Sequence, residues 1–230
     1  MSKTILVVGF GPGISTAVAE KFGAAGFSVA LVARNEEKLA AGVKALKAKG
    51  IHAAAFAADA NDPAAIRAVV KKAREALGPI TVLEWTAYGG ADAGDLLSAD
   101  TTAIRGVFDV AIVGLLAAVQ EALPDLKASK EGAVLVTNGA FGDVNPQVDA
   151  YAVGSKAMGL ALANAAKHKL VGLLSERLKA DGVFVGEVMV AGMVKGTPWD
   201  NGSATIEASQ IAGEFWKLYQ ARGEIRARVS

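Results

Sequence analysis

The feature that most constrains this chain is a short apolar run followed at once by a glycine-rich turn and a helical pattern. Residues 4–8 (Thr-Ile-Leu-Val-Val) are the nearly continuous apolar run expected of a buried parallel strand. Gly9-Phe10-Gly11-Pro12-Gly13 comes next, and residues 14–25 then carry apolar side chains at helical spacing. A strand, a tight turn and a helix in this order predict the start of a βαβ unit.

The same alternation continues along the whole chain. Further strands are predicted at 28–33, 51–57, 80–85, 133–137, 183–190 and 224–229. Helices are predicted at 36–49, 63–77, 102–123 and 206–220, and a helical stretch of roughly 30 residues lies before the sixth strand. This order predicts a Rossmann-type, doubly wound α/β fold, a three-layer sandwich around a central, mostly parallel seven-stranded sheet. Without a repeat or a linker-like segment, residues 1–230 are expected to form a single domain.

Composition excludes several classes of protein. With 24 Lys and Arg against 23 Asp and Glu, the formal charge of +1 is too small for nucleic-acid or membrane-surface binding. The chain has no cysteine and two distant histidines, so neither a disulfide scaffold nor a metal site is predicted. Charges or glycines interrupt the apolar stretches before the ~20 residues of a membrane span. A strand rather than a signal peptide at the N-terminus predicts a cytoplasmic protein.

The first turn has the composition of a phosphate-binding loop. Glycines let the backbone approach a pyrophosphate closely, and the helix that follows offers free N–H groups and a partial positive charge. The usual dinucleotide fingerprint would place glycine at Ile14. The spacing of Gly9, Gly13 and Ser15 instead resembles the short-chain dehydrogenase/reductase family, with serine in place of that family's third glycine. The resemblance implies an NAD(P)-dependent oxidoreductase acting on a small carbonyl compound or alcohol.

The end of the second strand indicates which cofactor is bound. An NAD enzyme would have an acidic residue there to bind the ribose 2′-hydroxyl, but Ala33 occupies that place. Arg34 follows it, and its planar guanidinium suits a 2′-phosphate, which favours NADP over NAD. The resemblance also implies an aspartate near the adenine, at Asp59, and a threonine on the nicotinamide amide, at Thr197. The predicted cofactor-binding residues are Gly9, Gly11, Gly13, Ile14, Ala33, Arg34, Asn35, Asp59, Ala60, Ala87 and Thr197.

The family's catalytic residues are largely replaced. The resemblance implies a tyrosine acid/base, a lysine four residues later, a serine that polarises the carbonyl and an asparagine on the preceding long helix. Ala111 stands at the asparagine, and Asn138 or Gly139 stands at the serine. The pattern resembles an atypical branch of the family that lacks the tyrosine.

Two registers remain for the lysine. Tyr151 and Lys156 are five residues apart, and five residues turn a helix by about 500°, which leaves the side chains about 140° apart. Lys167 lies 15 residues before Gly182, close to the family's spacing, and this register places Ala163 at the tyrosine. The predicted catalytic residues are Lys167, Lys156 and Tyr151.

Glu84, in the otherwise apolar fourth strand, is either a base with a raised pKa or a carboxylate that is exposed or hydrogen-bonded at the strand end. An alternative to an enzyme is a nucleotide-binding sensor or partner subunit with little turnover. The substrate loops at 89–99 and 193–205 contain no diagnostic motif. The apolar helix at 102–123 predicts a homodimer or homotetramer, because relatives pair through this helix and the one after the fifth strand.

Overall fold

Strands and helices alternate along the chain in the computed structural model, which describes residues 3–89 and 91–230. The strands are β1 (Lys3–Val8), β2 (Phe27–Ala33), β3 (Ala53–Ala57), β4 (Ile80–Trp85), β5 (Ala133–Gly139), β6 (Phe184–Val190) and β7 (Arg226–Val229). The α-helices are α1 (Ile14–Ala24), α2 (Glu36–Ala48), α3 (Pro63–Leu77), α4 (Thr101–Phe108), α5 (Leu115–Ala128), α6 (Pro146–Gly154), α7 (Met158–Leu178) and α8 (Ala208–Ala221). Gly90, in the first predicted substrate loop, lies outside the described residues.

The seven strands form one sheet in the order β3-β2-β1-β4-β5-β6-β7. Each pairing of neighbouring strands is parallel. The Rossmann-type doubly wound sandwich predicted from the sequence is confirmed. The strand order reverses between β1 and β4, and in such sheets ligands bind at this switch point, in the crevice beyond the carboxyl ends of the strands.

Both faces of the sheet are buried under helices. One apolar cluster joins alternate residues of the central strands to α3, α5 and α7, and includes Leu6, Leu83, Trp85 and Leu126. A second cluster joins the intervening residues to α1, α2 and α8, and includes Ile5, Phe22, Leu135 and Phe215. Burial on two faces explains why the strands have continuous apolar runs rather than alternating ones.

The predicted helix at 102–123 is part of a longer stretch, Thr101–Ala128, which is long and apolar enough to cross a membrane by length and composition. Its inner face, including Leu115, Ala118 and Leu126, is buried in the core, which accounts for much of this apolar character. A π-helical segment, Asp109–Gly114, separates α4 from α5.

The helical stretch before β6 is divided. It consists of α6 and α7, which are separated by residues 155–157. Lys156 lies in this break with a φ of +52°, in the left-handed region, which ends a helix. α7 alone leads to β6, through the short turn Lys179–Asp181.

Candidate active site

The glycine-rich turn lies between the ends of three strands. The N–H groups of Gly9 and Phe10 each donate to the Val32 carbonyl oxygen at 2.9 Å, which attaches the turn to the end of β2. A Cβ atom on Gly9 would lie 2.3 Å from the Ala87 nitrogen, and the φ of Gly9 is +94°. Only glycine fits a position with so close a backbone neighbour and a left-handed φ. The turn therefore lies in the crevice at the switch point between β1 and β4.

The N-terminus of α1 is open. Gly13 is its N-cap residue, with a φ of +92°, and no side chain in the described residues caps the helix. The next two helices begin differently, because the side chains of Asn35 and Asp62 accept hydrogen bonds from their first turns. Uncapped N–H groups at the positive end of a helix dipole form an anion-binding site. Ile14, a predicted cofactor residue, is the first residue of this helix.

Ser15 closes the glycine-rich turn on itself. Its Oγ accepts a hydrogen bond from the Gly11 N–H at 2.9 Å and lies 3.0 Å from the Gly11 carbonyl oxygen. The Thr16 hydroxyl donates to the same carbonyl at 2.7 Å. The serine that replaces the family's third glycine therefore fixes the shape of the turn, a role that the sequence did not indicate.

Arg34 is exposed just beyond the end of β2. Ala33 is the last residue of that strand and leaves space for a ligand where a carboxylate would otherwise project. Arg34 forms no hydrogen bond or ion pair with another of the residues that the structure describes. Asn35 is engaged locally, because its Oδ1 accepts from the Lys38 N–H at 2.8 Å. Of Ala33, Arg34 and Asn35, Arg34 is the one whose side chain is charged and has no partner among the described residues.

Asp59 follows β3 and forms a turn. Its Oδ1 accepts a hydrogen bond from the Asn61 N–H at 3.0 Å, and its side chain is exposed. Ala60, the other residue predicted there, is partly buried in the same turn. One oxygen of this carboxylate is therefore already engaged in the structure of the turn.

Thr197 and Ala87 bring two further loops to the glycine-rich turn. The Thr197 hydroxyl donates to the Val194 carbonyl oxygen at 2.8 Å. Its methyl carbon lies 2.6 Å from the point that a Cβ on Gly13 would occupy, and Ala87 is the backbone neighbour of Gly9. The loops after β4 and β6 therefore lie on either side of the turn.

Tyr151 and Lys156 do not share a helix. Tyr151 lies in α6, its side chain is 67% exposed, and its ring stacks on Phe141 with centroids 5.6 Å apart. Lys156 lies beyond the end of that helix and is exposed. Neither side chain forms a hydrogen bond with a residue in the described ranges. The predicted five-residue pair is not brought together by helix geometry.

Lys167 extends from α7 to the sheet. It is 4% exposed, and its Nζ donates to the Thr137 carbonyl oxygen at 3.1 Å, near the end of β5. Burial lowers its pKa to about 8, and the opposing charges of Glu187 and Glu84 limit that shift. Ala163, one turn earlier, is buried and presents a methyl group where the resemblance implies a tyrosine. Of the predicted catalytic residues, Lys167 is the buried one.

Glu84 is fully buried at the end of β4. Its Oε1 is in contact with the Thr86 hydroxyl and accepts from the Thr137 hydroxyl at 2.9 Å. Burial raises the pKa of this carboxyl from 4.5 to about 7, while the two hydroxyls and the Lys167 charge act in the opposite direction. The carboxyl group at this strand end is therefore buried and hydrogen-bonded, and not exposed.

A second buried carboxylate, Glu187 in β6, was missed by sequence reasoning. It accepts from Asn138 Nδ2 at 3.1 Å and from Arg226 Nε at 3.0 Å, and His168 Nδ1 lies 2.5 Å from its Oε1. The Asn138 amide also donates to the Asn164 carbonyl oxygen at 3.0 Å. Asn138 and Arg226 compensate the buried charge, and the Asn138 amide attaches β5 to β6 and to α7. A glutamate inside an apolar strand was the available signal.

The π-helical segment contains Ala111, which the resemblance places at the family's asparagine. Ala111 is buried, and Gly114 lies at a close backbone approach, where a Cβ would be 2.2 Å from the Ala60 carbonyl oxygen. Local π-helical turns are common at functional sites. The segment brings the long helix against the loop that follows β3.

Within residues 3–89 and 91–230, no group of three or more His, Asp and Glu side chains is arranged to hold a metal ion. His52 pairs with the Ser28 hydroxyl at 3.1 Å, whereas His168 Nδ1 lies 2.5 Å from Glu187 Oε1 without hydrogen-bond geometry.

Comparison with known families gives a match over most of the chain. A model of the short chain dehydrogenase family matches residues 3–199. The 3-oxoacyl-(acyl-carrier-protein) reductase of Staphylococcus aureus is 28% identical over 171 residues, which is 74% of this chain and 69% of that protein. The 2,3-dihydro-2,3-dihydroxybenzoate dehydrogenase of Bacillus subtilis is 41% identical over 81 residues, which is 35% of this chain and 31% of that protein.

Solved structures share the architecture. A metagenomic short-chain oxidoreductase in complex with NADP is 25% identical, with a TM-score of 0.79, over 99% of this chain and 95% of that one. An NADPH-bound short-chain oxidoreductase of Pseudomonas aeruginosa with an atypical catalytic centre is 19% identical, with a TM-score of 0.85, over 100% of this chain and 95% of that one. The second likeness concerns the fold alone.

Proposed function

Because this chain belongs to the short-chain dehydrogenase family, we propose that it is an NADP(H)-dependent oxidoreductase acting on a small carbonyl compound or alcohol. The observation that carries the proposal is the open N-terminus of α1, which starts at Gly13 beside the switch point of the sheet. NADP in the similar metagenomic oxidoreductase supports the choice of cofactor. The bound cofactor would supply or accept the hydride, and the protein would orient it.

The first turn of α1 would hold the pyrophosphate. Its free N–H groups donate hydrogen bonds to an anion, and Gly13 has no side chain to fill the space in front of them. Thr197 lies over this turn and would contact the nicotinamide end of the cofactor. The residues present fit a dinucleotide at this place.

Arg34 would bind the 2′-phosphate that distinguishes NADPH from NADH. Charge-assisted hydrogen bonds of this kind contribute about 1.5–3 kcal/mol. Replacing Arg34 by alanine is therefore expected to weaken NADPH binding roughly 10- to 150-fold, with NADH binding unchanged, as measured by fluorescence titration.

Lys38 provides a matched control for that variant. It also lies at the start of α2 and is exposed, but the resemblance gives it no role at the ribose. Lys38→Ala removes the same formal charge and should leave both affinities near wild type. Equal losses of NADPH and NADH affinity in Arg34→Ala would show that the arginine does not select the phosphate.

Lys167 would hold the nicotinamide ribose. Its Nζ lies at the Thr137 carbonyl, at the edge of the sheet beside the β1–β4 crevice. A lysine whose pKa burial lowers to about 8 remains a hydrogen-bond donor at neutral pH. We assign it the position of the family's lysine, ahead of Lys156.

Turnover separates an oxidoreductase from a nucleotide-binding sensor or partner subunit. Purified protein would be mixed with NADPH and a panel of aldehydes, ketones and quinones, and NADPH oxidation would be followed by absorbance. An enzyme oxidises NADPH with at least one compound at a rate that depends on the protein concentration. A protein that binds NADPH tightly and oxidises none would be the sensor or partner subunit.

The proposal includes a homodimer or homotetramer built on the long helix and α7. Val113 on the π-helical segment and Leu162 and Leu173 on α7 are exposed large apolar side chains. Apolar residues on neighbouring helices favour burial against a second copy of the chain. Sedimentation velocity measures the assembly state directly.

A further inference from the structure

Three oxygen atoms form a closed triangle at the carboxyl ends of β4 and β5. The Thr86 hydroxyl contacts Glu84 Oε1, Thr137 Oγ1 lies 2.9 Å from the same carboxyl oxygen, and the two hydroxyl oxygens are 2.9 Å apart. Both hydroxyls donate to Glu84 Oε1, so one buried oxygen of the carboxyl group accepts two hydrogen bonds. The triangle therefore connects both threonine hydroxyls directly to the carboxyl group of Glu84.

The second carboxyl oxygen of Glu84 favours the neutral acid. Glu84 Oε2 is buried and has no hydrogen-bond partner among the described residues. An ionised carboxylate would place part of its charge on this unsolvated atom, which is costly. The Lys167 charge lowers the pKa of Glu84, and the Glu187 charge on β6 raises the pKa of Lys167. Burial outweighs these effects and raises the pKa of Glu84 to about 7.

The triangle connects the buried Glu84 to the surface at the carboxyl ends of the strands. Thr86 and Thr137 are partly exposed, whereas Glu84 is fully buried beneath them. The carbonyl of Thr137 holds the Lys167 ammonium, so the hydroxyl pair lies beside the lysine to which we assign the nicotinamide ribose. No phenol is available at Ala163, on the adjacent turn of α7.

We propose that Glu84 provides the proton for carbonyl reduction, acting through the hydroxyls of Thr86 and Thr137. This inference rests on the proposed oxidoreductase function. When the carbonyl carbon receives the hydride that bound NADPH would supply, the electron pair of the C=O π bond moves to oxygen, and that oxygen takes a threonine hydroxyl proton. The carboxyl proton of Glu84 replaces it. Solvent then restores the carboxyl proton through the same hydroxyls, so Glu84 is a positioning residue and the threonines contact the substrate.

The protonation state is testable without cofactor. Infrared difference spectra between wild type and Glu84→Gln should contain a carboxylic-acid C=O band at mildly acidic pH, which titrates away with a midpoint of about 7. Glu131→Gln is the matched control, because Lys3 and the Tyr219 hydroxyl lower the pKa of that exposed carboxylate. The absence of this band from the difference spectrum between wild type and Glu84→Gln would overturn the proposal.

The Thr86 and Thr137 hydroxyls lower the pKa of Glu84. Hydrogen bonds from hydroxyls favour the charged carboxylate, so Thr137→Val should move the midpoint of this band to higher pH. Thr81→Val, in the same strand as Glu84 and away from its oxygens, should leave the midpoint unchanged. A midpoint that does not respond to Thr137→Val would exclude the hydroxyl from the triangle and overturn the relay.

The pH profile tests the role in turnover. Wild-type kcat for reduction should fall as pH rises through about 7, where Glu84 loses its proton. Glutamine keeps the shape and hydrogen bonds of the side chain but has no acidic proton, so Glu84→Gln should lower kcat about 10²- to 10⁴-fold and abolish that limb, with NADPH affinity unchanged. A wild-type pH profile in Glu84→Gln would overturn the inference alone, whereas a wild-type protein that binds no NADPH would overturn the proposed function.

Discussion

Replacing Gly13 by valine is expected to abolish NADPH binding. Valine would place its side chain in the space directly in front of the first N–H groups of α1, where the pyrophosphate would bind. The stability cost is moderate, because a left-handed φ of +92° costs a branched residue about 1–3 kcal/mol and the Cβ meets only the Thr197 side chain. Circular dichroism establishes that the variant is folded, and fluorescence titration measures the loss of binding.

Gly26→Val is the matched control for backbone strain. Gly26 has nearly the same φ, +91°, but lies in the turn between α1 and β2, with no atom within 4 Å of a Cβ. Gly26→Val therefore has the cost of the left-handed φ without the displacement of the Thr197 methyl group, and it should keep wild-type NADPH affinity. Retention of NADPH affinity by folded Gly13→Val would remove the glycine-rich turn from the cofactor site.

Replacing Lys167 by methionine is expected to lower kcat/KM about 10²-fold or more, because both the affinity and the orientation of the cofactor would suffer. Stability should change little at neutral pH, since two effects oppose each other. Removing a buried charge whose pKa is lowered from 10.5 to about 8 relieves about 3 kcal/mol. Leaving the Thr137 carbonyl without its donor costs about 1–3 kcal/mol.

The pH dependence of stability identifies the Lys167 charge independently of activity. Between about pH 8 and 10.5 the unfolded chain holds the lysine proton more strongly than the folded one. The free energy of unfolding of the wild type should therefore rise with pH across this window, and the rise should be absent in Lys167→Met. Denaturant titrations at several pH values measure both slopes.

Tyr151→Phe tests whether the hydroxyl of Tyr151 is needed for turnover. It deletes only the hydroxyl of an exposed ring that stacks on Phe141, so kcat should remain near wild type. A drop of two orders of magnitude, in the range about 10²–10⁴ expected for a lost acid/base, would instead identify Tyr151 as the proton donor. Such a drop would also contradict the assignment of Lys167.

The fold could be predicted because its signals are local and repeated. Continuous apolar strands alternate with helical patterns, and that alternation has few parallel-sheet solutions. The turn at Gly9–Gly13 was likewise readable, because close backbone approach and left-handed φ values require glycine. The break between α6 and α7 was not predicted, and α7 covers most of the span from Lys156 to Gly182 as a single helix.

The buried polar groups could not be placed from the sequence. Glu84 and Glu187 each stand in an apolar run, but their partners come from elements far along the chain, such as Thr137 and Arg226. Local spacing contains no information on such contacts, which depend on strand order and register. The exchange of hydrogen bonds at Ser15 was missed for a different reason, because a resemblance describes what a residue replaces rather than what it does.

A crystal of this protein soaked with NADPH is the most direct test of the proposed cofactor site. We expect the pyrophosphate at the first turn of α1, the 2′-phosphate at Arg34 and the nicotinamide ribose within hydrogen-bonding distance of Lys167 Nζ, which is about 3 Å. We also expect the nicotinamide to lie beside the Thr86 and Thr137 hydroxyls. A ribose bound by Lys156 next to Tyr151, or a 2′-phosphate remote from Arg34, would contradict the proposed site.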